Sequence, residues 1–172
     1  MTDNGISGPL SASELALRNA VHDCVSAVHG RQWLGDRQVL QGNELRRVDD
    51  ARSQVRRERK NPTADRVVAE LSFGFWLSLF ARRYDGLWNA VLNRAFTPTP
   101  LRRDLYARLA QLRDLRNRIA HHEPIHHLAL SDYYDGALWV LERISPVAAA
   151  WVSQHSRVPQ ILADPDKSAD RF

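Results

Sequence analysis

The run Leu115-Arg116-Asn117-Arg118-Ile119-Ala120-His121-His122-Glu123-Pro124-Ile125 crowds guanidinium, amide, imidazole and carboxylate groups onto the end of a stretch with helical apolar period. Polar groups cost free energy to gather in this way, which points to a working site rather than a simple cap. Arg116 offers a permanent planar fork for a phosphate, and His121 titrates near neutrality and can move protons. Those two groups suffice for metal-free cleavage of RNA. The ribose 2′-hydroxyl is the internal nucleophile, His121 acts as general base or acid, and Arg116 holds the phosphate and opposes the charge developing on it. Asn117 supports the arginine it follows. An isolated Arg-x4-His is common by chance; its weight here comes from an Arg-Asn pair closing a long helix in a basic, all-helical chain.

A second chemistry has to be weighed against the first. His122-Glu123-Pro124-Ile125-His126 spells H-E-x-x-H, the zinc-protease pattern, which needs both histidines on one continuous helical face. Pro124 removes a helical hydrogen bond inside the motif and drives Glu123 out of helical geometry, so the i, i+4 alignment is lost. Convergence of His121, His122, His126 and His127 on a metal near a turn is the weaker alternative. RNA chemistry at Arg116 and His121 calls for no metal and no cofactor.

The elements that must carry these groups are all helices. At 172 residues the chain fits one domain with its own core. A formal charge of +4 and a pI near 9.7 suit an anionic partner such as RNA, although surplus arginine is usually a solvated face. A lone Cys24 excludes a disulfide framework and a cysteine zinc site, and fits a reducing cytoplasm. The first residues lack the charged and apolar regions of a secretion signal. The longest apolar run, Leu71 to Ala81, is too short to span a bilayer, so no membrane association is expected.

In chain order, Ser11-x-x-Glu14 reads as a capping box for a helix over about 12 to 29, ended by Gly30. Asn43 reads as the N-cap of a charged helix to about Lys60, whose end, Arg56-Arg57-Glu58-Arg59-Lys60, is the densest positive cluster; it is either solvated or a phosphate-tracking surface. Thr63 caps a third helix over about 64 to 83, apolar nearly all round and interrupted by Gly74, as expected at the centre of a bundle or facing a partner subunit. Its aromatics read as core. Tyr84-Asp85-Gly86 turns into a short helix, and Thr97-Pro98-Thr99-Pro100 is a breaker. Leu101, Leu105, Leu109, Leu112, Leu115 and Ile119 then hold helical period until Pro124. On that wheel Arg116 falls inside the apolar arc and needs an anionic or carbonyl partner, or a subunit boundary, while Asn117 and His121 share another face. A last helical stretch covers about 131 to 154, with Ser145-Pro146 kinking or restarting it and Trp151 packing back. The organisation expected is a flexible 1–10, a helical domain over 11–156 and an extended or disordered tail over 157–172.

RNRIAHHEPI at 116–125, with ELSFGFWLSLFARRY at 70–84 and LALRNAVHDC at 15–24, resembles the Abi-like (abortive infection) proteins of bacteria and their prophages, members of the HEPN superfamily. The resemblance runs from about Glu14 to the SRVPQIL stretch near the C-terminus. It implies an antiparallel HEPN helical bundle that dimerises through the motif-bearing helices, so that two Arg-x4-His motifs face each other. In active members that composite site is a metal-independent endoribonuclease, often a toxin or phage-defence effector, which can have an antitoxin or regulatory protein as a partner. Carried over by position, Arg116 and His121 match the signature pair and Asn117 the polar residue after the arginine. His122 and Glu123 belong to this family's extension of the motif. Longer members carry another helical segment, with an aromatic-rich Tyr/Trp-Asn motif, before the stretch matching 15–24. Here only a short polar stretch precedes it, so the partner chain fills that place or the chain is a shortened form. Arg18, Asn19 and His22 are candidate accessory groups, the alternative being a helix's polar edge near a buried interface. The alternative function is a non-catalytic HEPN-like module that binds RNA, nucleotide or protein through the same groove.

Overall fold

The computed structural model describes residues 5–125 and 127–163, and its regular structure is helical, with no strand among the described residues. In order, the helices are α1 (Ser7–His29), α2 (Gly42–Arg57), α3 (Ala64–Glu70), α4 (Phe73–Ser78), α5 (Asp85–Ala90), α6 (Arg102–Ala120), α7 (Leu130–Ile144), α8 (Pro146–His155) and α9 (Val158–Ala163), with short 3-10 turns at Trp33–Gly35, Arg82–Tyr84 and Leu92–Ala95. The all-α expectation therefore holds. No helix among the described residues is long and apolar enough to cross a membrane.

Among the described residues the chain forms two compact units, one from residues 5–17 together with 107–125 and 127–163, the other from Arg18 to Tyr106. In the first, α7 packs on α8 and α9. Leu141, Ala149 and Val152 form a buried cluster covered by Ala12, Ala16, Leu138 and Ala148. Gly136 on α7 is buried opposite Leu112 of α6, and a Cβ there would lie at an ordinary contact distance of 3.9 Å from Leu112 Cδ2. Leu109, Leu112 and Leu115 are buried, as their spacing predicts, and with them α6 is fixed from one side.

The second unit has an aromatic core. Trp76 meets Trp33 and Phe75 edge-on, and Phe80, Trp88 and Phe96 form a second group with ring centroids about 6 Å apart. Beside it a buried carboxylate ties α2 to the Arg82–Tyr84 turn. Glu44 is fully buried and accepts hydrogen bonds from the Arg83 guanidinium and the Tyr84 hydroxyl, which itself accepts from the Gln41 amide. Burial pushes the Glu44 carboxyl up, but bonds from Tyr84, Arg83 and Ser78 outweigh it and hold the group below its ordinary value of 4.5. Burial first, and then the adjacent carboxylate, push Tyr84 up to about 12.

Several boundaries differ from those the sequence predicts. α1 starts at Ser7, ahead of the predicted start near 12, because Gly8 and Pro9 fit a first turn where amide hydrogens have no helical partner. Gln41, not Asn43, is the N-cap of α2. The helix expected over 64–83 is broken: Leu71 and Ser72 are extended, with ψ of 128° and 160°, and the freed Leu71 carbonyl accepts from the Trp76 indole at 3.3 Å. Gly74 lies in α4, where its carbonyl accepts from Arg47 at 3.1 Å. Ser145 is extended and its hydroxyl caps Ala148, so Pro146 opens α8 as a separate helix. Trp151 does not pack back: it is 61% exposed and stacks on His155 at 4.5 Å. Val158–Ala163, in the stretch expected to be extended, forms α9.

Candidate functional site

The site is built on the last turn of α6 and the reversal that follows it. The His122 N–H donates to the Ile119 carbonyl at 3.1 Å and the Glu123 N–H to the Arg118 carbonyl at 2.9 Å, while His122 takes a left-handed backbone with φ of 57°. This is the paired-bond Schellman ending, in which glycine usually holds the left-handed position. The apolar contact that normally closes the motif is replaced by an ion pair, Arg118 Nη1 to Glu123 Oε2 at 3.5 Å. Pro124 then blocks further helix. The same ending closes α2, with Arg59 left-handed at φ of 58° and bonds from Arg59 N to Arg56 O and from Lys60 N to Val55 O.

His122 and Glu123 therefore belong to the reversal and not to a helical face, which removes the i, i+4 geometry an H-E-x-x-H zinc site needs. His126, the motif's second histidine, lies outside the described residues. Among the described residues no three His, Cys, Asp or Glu side chains converge as metal ligands.

Arg116 sits where the apolar period places it, partly covered, and its partner comes from α1. Glu14 Oε2 lies 3.8 Å from Arg116 Nε, with side-chain exposures of 25% and 43%. Glu14 escapes a sequence reading because it looks like the closing acid of a capping box; the earlier start of α1 leaves it mid-helix and free to reach α6. Asn117 and His121 are both exposed. The His121 side chain makes no hydrogen bond with the described residues, so its ring is open to solvent and to a ligand. Five residues of ideal helix turn the side-chain direction by a net angle of about 140°, so Arg116 and His121 leave α6 in diverging directions. A cleft that uses both groups on one phosphate is best closed by a second surface.

The accessory candidates lie in the other unit. Arg18 Nε donates to Asn19 Oδ1 at 3.4 Å; Arg18 is partly covered and Asn19 exposed. His22 has a structural occupation: its Nδ1 accepts the Trp33 indole N–H at 3.1 Å, which assigns the proton of the neutral ring to Nε2. Burial holds His22 below its ordinary value of 6.5, with Asp23 and Asp65 acting against it. The run Arg56-Arg57-Glu58-Arg59-Lys60 is exposed throughout, with Lys60 paired to Glu58 at 2.8 Å. Comparison of the chain with protein-family models, curated proteins and solved structures yields no match.

Proposed function

We propose that this protein is a metal-independent endoribonuclease of the HEPN type, acting in phage defence or as a toxin, with Arg116 and His121 as its working pair. The observation that carries the reading is the end of α6: a solvent-open imidazole at His121 and an amide at Asn117 one turn before it, beside a guanidinium whose only ion-pair partner among the described residues is a carboxylate at 3.8 Å. Arg116 receives the scissile phosphate once Glu14 yields it, His121 moves the proton of the 2′-hydroxyl or of the leaving oxygen, and Asn117 hydrogen-bonds the same phosphate or ribose. The sequence resemblance at 116–125 points the same way. Because Arg116 and His121 diverge, the reading includes a homodimer in which the α6 ends of two copies complete each other's sites. His122 and Glu123 set the chain reversal that presents His121.

The test is cleavage of single-stranded RNA in EDTA. Activity survives chelation and falls by roughly 10²-fold or more in H121A, the usual contribution of a general acid or base. Loss of all turnover in EDTA, or full turnover in H121A, overturns the chemistry. A monomeric mass in solution under assay conditions overturns the composite site. The divergence of Arg116 and His121 on one copy of α6 leaves room for a second reading, a module that binds RNA without cutting it; tight binding with no turnover by the unaltered protein is its signature.

A further inference from the structure

Arg108 on α6 and Trp139 and Arg143 on α7 form a cluster that the proposed chemistry leaves unused. The Arg143 guanidinium lies 3.6 Å from the centroid of the Trp139 ring and that of Arg108 lies 4.6 Å from it. Two cations gathered on one indole are therefore within about 8 Å of one another, yet neither has a carboxylate in ion-pairing range among the described residues. Arg108 makes no hydrogen bond with the described residues. Arg143 spends one donor on the Trp139 carbonyl at 3.0 Å, and its Nε is buried without a partner. All three side chains are only partly covered. The ring holds the two guanidinium groups in place against their mutual repulsion and leaves the Arg108 donors and the second amino group of Arg143 unmatched, an arrangement suited to an anion with several oxygens.

Its position gives the anion a chemical class. Arg108 precedes Arg116 by eight residues on the same helix, about 12 Å along its axis. At a stacked spacing of roughly 3.4 Å per nucleotide, a strand would carry about three phosphates across that distance. We propose that Arg108, Trp139 and Arg143 form a subsite that clamps one RNA backbone phosphate upstream or downstream of the bond presented to Arg116 and His121. The subsite rests on the RNA-directed reading of α6, and it gives that reading a length: an RNA too short to reach both places binds through one of them alone.

The test uses the full chain and a short 2′-O-methyl oligouridylate, which has no free 2′-hydroxyl and cannot be cut. Its affinity is measured as a function of salt for the unaltered protein, for R108Q/R143Q, and for R56Q/R57Q as a control on the other basic cluster. With one phosphate lost, the slope of log affinity against log salt falls by about 0.7 in R108Q/R143Q. It stays unchanged in R56Q/R57Q. An unchanged slope in R108Q/R143Q overturns the subsite and leaves the cluster as packing. R108E is the check where the double variant melts, because Arg108 carries no hydrogen bond the fold depends on; binding as tight as that of the unaltered protein overturns the subsite again. Cleavage is followed separately. If H121A abolishes cleavage of ordinary RNA while R108Q/R143Q keeps its slope, the subsite fails and the reaction stands. If the slope falls but no RNA is ever cut, the reaction fails and the subsite stands.

Discussion

Replacing His122 by glycine should make the protein more stable. At φ of 57°, the His122 backbone sits where a Cβ crowds the following carbonyl, at a cost of roughly 1–2 kcal/mol. Glycine removes that cost but gives the unfolded chain more freedom, worth roughly 0.5–1 kcal/mol in the other direction. The two bonds that close α6 involve backbone atoms only, and the Arg118–Glu123 pair does not touch the His122 side chain, so both survive the change. The net expectation is a gain of about 0.5–1 kcal/mol for H122G, or roughly 1–4 °C in Tm for a chain of this size. Alanine keeps the Cβ and gains nothing, so H122G should exceed H122A by the same roughly 0.5–1 kcal/mol. Urea unfolding of the three proteins measures this as a shift in midpoint at constant m-value. H122G no more stable than H122A would refute the capping argument. RNA cleavage should persist in H122G, because on this reading the imidazole of His122 moves no proton.

Stability should be full above about pH 6.5 and decline as pH falls below it, since burial lowers the folded-state affinity of His22 for a proton while the unfolded ring still binds one; H22Q, which can still accept the Trp33 indole N–H, flattens that part of the profile in thermal melts. Glu44 adds a lower window: with its carboxyl held below 4.5 in the fold, its contribution is complete above that pH and is lost as pH drops further, and E44Q costs roughly 2 kcal/mol at neutral pH in denaturant titration. E14Q frees Arg116 for phosphate. The half-exposed pair is worth under about 1 kcal/mol, so urea unfolding should show little change in stability while RNA affinity rises up to about fivefold.

Periodicity was enough to read the helices that bury one stripe. Leu105, Leu109, Leu112 and Leu115 are core because their spacing keeps them on one face, and Ser145-Pro146 marks the start of α8 through local chemistry alone. The stretch from Leu71 to Phe80 hid its break because a run apolar on every side has no preferred face; the bond from the Trp76 indole to the Leu71 carbonyl decides it, and that bond exists only in the folded core. Glu44 carries no sequence signal of its burial, since its partners Arg83 and Tyr84 lie about forty residues away. At the site, the residue types were legible and their division of labour was not. Nothing in His121-His122 says which imidazole will be left-handed, although a proline two positions after His122 is the expected company of a helix stop.

The break at Leu71 and Ser72 has a consequence for how this unit comes into being. α3, α4 and α5 have seven, six and six residues, well below the roughly 12–15 that a helix needs to persist alone in water. Each depends on neighbours for its existence: α3 packs on α2, and α4 and α5 carry or adjoin the rings of Trp76, Phe80 and Trp88, which meet Trp33 and Phe96. None of the three is a rod stable enough to stand before the packing forms. These helices should therefore be lost in the same thermal transition as the near-ultraviolet signal of those rings.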